Sequence, residues 1–165
     1  MKFIYDDGGR AAAGYHGETS DCVVRAIAIA AELPYQQVYD AINDAAKGER
    51  KSRRKRGVSN ARTGVYKQTI RRYLTSLGWQ WTPMMLIGSG CKVHLADGEL
   101  PMGRLIVSVS KHIVAVIDGV IHDTGDPQRE PTERMGVVKM ENGWQHNVML
   151  GMTGGRCVYG YWRKA

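Results

Sequence analysis

Asp118-Gly119 stands between two apolar runs, His112-Ile-Val-Ala-Val-Ile117 and Val120-Ile-His-Asp-Thr124. An Asp-Gly pair in that setting predicts a two-residue type I′ turn, because both central residues must take positive φ and the turn's twist matches that of the strands. The turn fixes a register: Ile117 faces Val120, Val114 faces Asp123, and His112 faces Gly125. Side chains alternate along each strand, and directly facing residues share a face. His112, Val114, Ile121, Asp123 and Gly125 are therefore expected on one face, with His112 and Asp123 diagonal neighbours roughly 7–8 Å apart at the backbone. His122 is sent to the opposite face with Ile113 and Ala115. One hairpin thus pairs an imidazole with a carboxylate and leaves room beside them at Gly125.

The remaining chain divides into a helical first half and an extended second half. The first twenty residues are Gly-rich and aperiodic, a loop or short edge strand. A helix is read from Cys22 to about Ala31, with Thr19 or Ser20 as N-cap. Pro34 suits the first turn of a second helix that ends near Gly48, with Val38, Ile42 and Ala45 at helical spacing. A third is read from about Gly64 to Leu77, carrying an apolar stripe of Val65, Ile70, Tyr73, Leu74 and Leu77, with Gly78 as C-cap. Strands follow at Trp79–Thr82, Arg104–Ser110, the hairpin, and Arg156–Trp162. Residues 125–143 read as loop. Helices first and antiparallel strands later is the α+β pattern. Trp79, Trp81, Tyr159, Tyr161 and Trp162 are assigned to core and sheet packing.

The 165 residues suit one domain with a core. A net charge of +7 suggests a nucleic-acid binder until it is located. Lys47 to Arg56 carries seven basic residues and one Glu, a net of +6, which leaves +1 for everything else. This basic loop, at about 47–60, is expected to be solvated and self-repelling. Lys47, Arg50, Lys51, Arg53, Arg54, Lys55 and Arg56, joined by Arg71 and Arg72 on the third helix, are the candidates for contact with nucleic acid or an acidic partner. The run lacks interleaved aromatics, which argues against base stacking on it. No apolar stretch marks a signal peptide or a membrane span, so no membrane partner is expected. The three cysteines are too widely spaced to suggest a disulfide framework, and together these features predict a cytoplasmic protein. Cys91-Lys-Val-His94 has a metal-ligand spacing but lacks the second pair that a zinc site needs, so no metal is assigned.

Cys22 opens the most apolar helical run, Cys22-Val-Val-Arg-Ala-Ile-Ala-Ile-Ala-Ala31. A cysteine in a helix's first turn meets unpaired backbone N–H groups and the positive end of the macrodipole. Both stabilise a thiolate. Such a nucleophile needs an imidazole to hold it as an ion pair and to protonate the leaving group. A third group must orient the imidazole. Cys22, His112 and Asp123 supply these roles in that order, and the chemistry calls for no cofactor.

That order of helix-start cysteine, strand histidine and next-strand carboxylate resembles the papain-like cysteine peptidase superfamily. Ser20-Asp21-Cys22 is similar to the Asp-Cys entry of its bacteriocin-leader peptidases. SDCVVRAIAIA and KHIVAVIDGVIHDT also resemble small uncharacterised bacteriophage proteins. The resemblance implies a papain-like α+β fold, N-terminal helices packed on a C-terminal antiparallel sheet. It also implies a thiol-dependent hydrolase or acyltransferase acting on an amide or isopeptide bond of a peptide or protein. The chain departs from the superfamily six residues before the cysteine, where His16 stands in place of an oxyanion-binding Gln. The His16 ring and the Cys22 backbone N–H are then the expected oxyanion donors. The alternatives are a non-catalytic phage protein that engages nucleic acid or a host factor through the basic loop, and a pseudoenzyme that keeps the fold for binding.

Overall fold

The computed structural model of the chain describes residues 1–51, 57–141 and 143–164. Three helices, α1 (Cys22–Ala31), α2 (Tyr35–Lys47) and α3 (Lys67–Ser76), lie between the short strand β1 (Lys2–Tyr5) and the later strands. Those strands are β2 (Trp79–Pro83), β3 (Arg104–Val109), β4 (His112–Ile117), β5 (Val120–Asp123), β6 (Pro131–Lys139), β7 (Gln145–Gly154) and β8 (Val158–Lys164). Six of them form one sheet in the order β1-β5-β4-β3-β8-β2, and β6 and β7 pair with each other.

The protein is α+β, as the sequence pattern predicts, but its sheet is mixed. β1 joins the β5 edge in parallel, Phe3 against Ile121 and Tyr5 against Asp123. The other contacts of the large sheet are antiparallel. The expectation of a wholly antiparallel sheet fails at β1. Four residues after a Gly-rich stretch carry no signal of pairing direction, which the remote β5 edge sets. The 125–143 loop assignment fails as well, since β6 occupies 131–139 and pairs with β7.

Each face of the large sheet is covered. Ile106, Ala115 and Trp162 form one apolar cluster with Val24 and Ile27 of α1, Val38 and Ile42 of α2, and Ile70 and Leu74 of α3. Leu105, Val107, Val114, Val116 and Ile121 meet Leu95, with Phe3, Met84 and Leu100 packed at the margin. Fully burying one such aliphatic side chain stabilises a fold by about 1.5–3 kcal/mol. α1 is buried almost all round, with every residue from Val23 to Ala30 inside, so it is a central helix rather than a surface one. Its start is one residue later than a Ser20 cap implies. The N-cap is Asp21, without a side-chain capping bond, because its carboxylate is engaged elsewhere. Pro34 likewise sits at the N-cap of α2, just before its first turn.

Cys91 and Cys157 form a disulfide, contrary to the reading of three unpaired thiols. The two are brought together because residues 93–95 run beside 156–158: the Leu95 N–H donates to the Arg156 carbonyl at 2.8 Å, and the Val158 N–H to that of Val93 at 2.8 Å. A separation of 66 residues gave no clue to that pairing, and the bond removes the ground for inferring a reducing compartment. Cys22 is left as the free cysteine. Among the described residues, no helix is long and apolar enough to cross a membrane.

Candidate active site

Cys22 is the first residue of α1, and the first helix N–H with a backbone acceptor is that of Arg25, bonded to the Asp21 carbonyl at 3.1 Å. The N–H groups ahead of it stand where the helix leaves its donors unpaired, next to the Cys22 thiol. The tip of β4 meets this end of the helix. The hairpin behind it is the one the sequence predicts: Asp118 and Gly119 take φ of 48° and 76°, and Ile117, Val116 and Ala115 pair with Val120, Ile121 and His122.

His112 Nε2 lies 2.5 Å from Asp123 Oδ2, and the His112 ring and the Cys22 thiol are close enough to shift each other's titration. With Nε2 held by the carboxylate, Nδ1 is the nitrogen left for the thiol. The three residues form one chain of contacts, although the reason is not quite shared-face alternation. Val114, Val116 and Ile121, in phase with His112 and Asp123, face the layer away from the helices. His112 and Asp123 nevertheless reach Cys22 and Arg25, both on α1. The β4–β5 ladder ends at Ala115 and His122, and His112 follows Lys111 in the left-handed region (φ 55°). His112 opposite Val109 and Asp123 opposite Tyr5 are the last rungs of their other ladders, so both side chains stand at strand ends facing the start of α1. His122 is apart from this chain, with its Nδ1 3.2 Å from Asp6.

The electrostatics favour an ion pair. Burial pushes the Cys22 thiol up, but the His112 hydrogen bond and charge, a backbone hydrogen bond from Ile113 and the Arg25 charge together bring it below its ordinary value. The Asp123 hydrogen bond, then that of Cys22, raise His112 to about 9 against the opposing effect of burial.

A buried network absent from the sequence reading supports Asp123, which is 3% exposed. Its Oδ1 accepts the Thr124 N–H at 2.7 Å and lies 3.3 Å from Arg25 Nη1. Arg25, 5% exposed, also donates to the Thr124 hydroxyl and faces Asp21 Oδ1 through Nε at 3.1 Å. That last contact is an ion pair without hydrogen-bond geometry. Asp21 Oδ2 accepts the Tyr35 hydroxyl at 2.6 Å, and Arg10 stands 3.8 Å away. Burial and Asp21 push Tyr35 upward, so it stays a donor. With Cys22 ionised and His112 protonated, three negative groups (Asp21, Asp123, Cys22) meet three positive ones (Arg10, Arg25, His112). The signal for this network was present: Arg25 is the one charged residue in the α1 sequence, four residues after Asp21.

The other sequence candidates lie elsewhere. His16 is on an exposed loop, where its carbonyl, rather than its ring, accepts a 2.6 Å bond from Arg62. Lys47 is exposed and paired with Asp44 at 2.6 Å. Arg50 and Lys51 are exposed, while Arg53, Arg54, Lys55 and Arg56 fall outside the described residues. Arg71 and Arg72 are exposed on α3 and line a cavity of about 590 Å³. Cys91 is taken up by its disulfide, and no cluster of three or more His, Cys, Asp or Glu among the described residues is arranged to hold a metal.

No family model matches the chain, and neither a curated protein nor a solved structure shows significant similarity to it.

Proposed function

We propose that the protein is a papain-like thiol enzyme that cleaves or transfers the acyl group of an amide or isopeptide bond in a peptide or protein. The observation that carries this reading is the 2.5 Å His112–Asp123 contact beside Cys22, whose sulfur stands at the first turn of a buried helix and is lowered in titration by His112. Cys22 is the nucleophile. Its thiolate attacks the carbonyl carbon, forming a C–S bond as the carbonyl electrons move onto oxygen. The Cys22 backbone N–H at the helix start is the group aimed at that oxygen. On collapse the C–N bond breaks, and His112 gives its proton to the departing amine. Water, deprotonated by His112, then attacks the thioester and releases acid and thiol; an amine in place of water gives transfer. Asp123 holds the imidazole by Nε2 throughout, and Arg25 and Thr124 hold Asp123.

The test is acylation by p-nitrophenyl acetate. A burst of p-nitrophenolate stoichiometric with protein, with an acetyl group recovered on Cys22 by mass spectrometry and neither seen in Cys22→Ala, is the expected result. Release no faster than in Cys22→Ala would overturn the reading.

A further inference from the structure

The cavity of about 590 Å³ lies between α3 and the sheet. Its lining includes Lys67, Arg71 and Arg72 of α3, Trp81 of β2, Ile113 of β4 and Trp162 of β8. Ile113 is the link to chemistry, because it lines the cavity and directly follows His112 at the start of β4.

We propose that this cavity is the substrate cleft and that it takes an acidic polypeptide segment carrying an aromatic or large aliphatic side chain. The inference rests on the thiol-enzyme reading for the reaction but not for the binding. The charge follows from the lining, which includes no acidic residue. Among the described residues, Lys67, Arg71 and Arg72 have no carboxylate within ion-pairing distance, unlike Lys47 on Asp44. Positions 67 and 71 are one helical turn apart, so these cations can meet carboxylates spaced along an extended segment. The apolar requirement follows from the indoles. Trp81 and Trp162 lie 5.3 Å apart, centroid to centroid, and tilted by 52°. Gly160 makes that wall possible: a Cβ there would come within 2.4 Å of the Trp81 ring and 2.6 Å of the Thr82 carbonyl. A volume in this range suits a few residues of chain. Basic groups beside indoles would also suit single-stranded nucleic acid. The peptide is favoured because Ile113 in the lining adjoins His112, and the thiol reaction proposed above needs an acyl carbon, which a nucleic-acid backbone does not offer.

The experiment uses the full-length Cys22→Ala protein and fluorescence anisotropy with three labelled probes: an alternating Glu-Tyr peptide, an alternating Lys-Tyr peptide and an oligo-dT of equal length. The Glu-Tyr peptide should bind in a salt-dependent way, and both other probes should bind more weakly. Arg71→Gln with Arg72→Gln, both exposed, should weaken it about tenfold or more without lowering Tm, since tenfold is 1.4 kcal/mol. In wild type the same peptide should slow alkylation of Cys22. Absence of Glu-Tyr binding, tighter binding of oligo-dT, or binding without protection of Cys22 would each overturn the proposal. Because Cys22→Ala carries no nucleophile, failure of binding is separate from failure of the thiol chemistry, which the acylation test reads alone.

Discussion

His112 Nε2 and Asp123 Oδ2 are 2.5 Å apart, at the ends of two strands whose ladder has already closed at Ala115 and His122. The contact gives His112 the charge that the Cys22 thiolate needs, and its removal has a defined consequence. Asp123→Asn keeps the shape and loses the carboxylate. His112 should then titrate well below about 9, towards its ordinary 6.5. The thiolate–imidazolium window narrows from its alkaline side, so the alkaline limb of the p-nitrophenyl acetate rate profile should move to lower pH.

The same raised value carries a stability signature. Because the folded His112 binds its proton more tightly than the unfolded chain does, its contribution is complete below about 6.5 and is lost as pH rises through about 9. The Tm difference between wild type and His112→Asn should therefore shrink across that interval. Cys22 has the opposite sign: its lowered value contributes above its unfolded 9.0 and loses that contribution as pH falls through the folded value. Cys22→Ser should accordingly alter the alkaline side more than the acid side.

Arg25 ties Asp21 to Asp123 inside the protein, and Arg25→Met leaves two buried carboxylates short of their cation. Breaking a buried pair in this way costs about 3–5 kcal/mol. Urea unfolding should show a loss of that order. Arg25→Lys, which keeps the charge but not the planar fork, should lose less.

Gly160→Ala drives a methyl into Trp81 and the Thr82 backbone, so urea unfolding should show a loss of about 1–3 kcal/mol or more. Gly125→Ala, with no atom within 4 Å of the added carbon, is the control and should be near neutral. Equal effects at the two positions would contradict the close approach at Gly160.

The Asp118-Gly119 turn and the apolar runs beside it made the hairpin legible, because turn chemistry and register are local properties. The pairing of His112 with Asp123 was legible for the same reason, although the two side chains face α1 only because they stand at strand ends. Cys22 was legible as a helix start. What sequence order concealed is non-local: β1 parallel to β5, Cys91 bonded to Cys157, and β6 paired with β7 through a stretch without strong alternation. The i,i+4 spacing of Asp21 and Arg25 is legible in the sequence, but the tie of Arg25 to Asp123 exists only once the fold brings β5 beside α1.

The central claim is that His112 holds Cys22 as a thiolate, and alkylation by iodoacetamide reads it directly. Cys22 is the free cysteine, so the adduct is unambiguous. Near pH 6, about two units below the ordinary thiol range, wild type and His122→Asn should alkylate rapidly and equally. His112→Asn should react at least about tenfold more slowly there and recover only as pH approaches about 8.5. A wild-type rate that follows an ordinary thiol titration near 8.5 and is unchanged in His112→Asn would contradict the account.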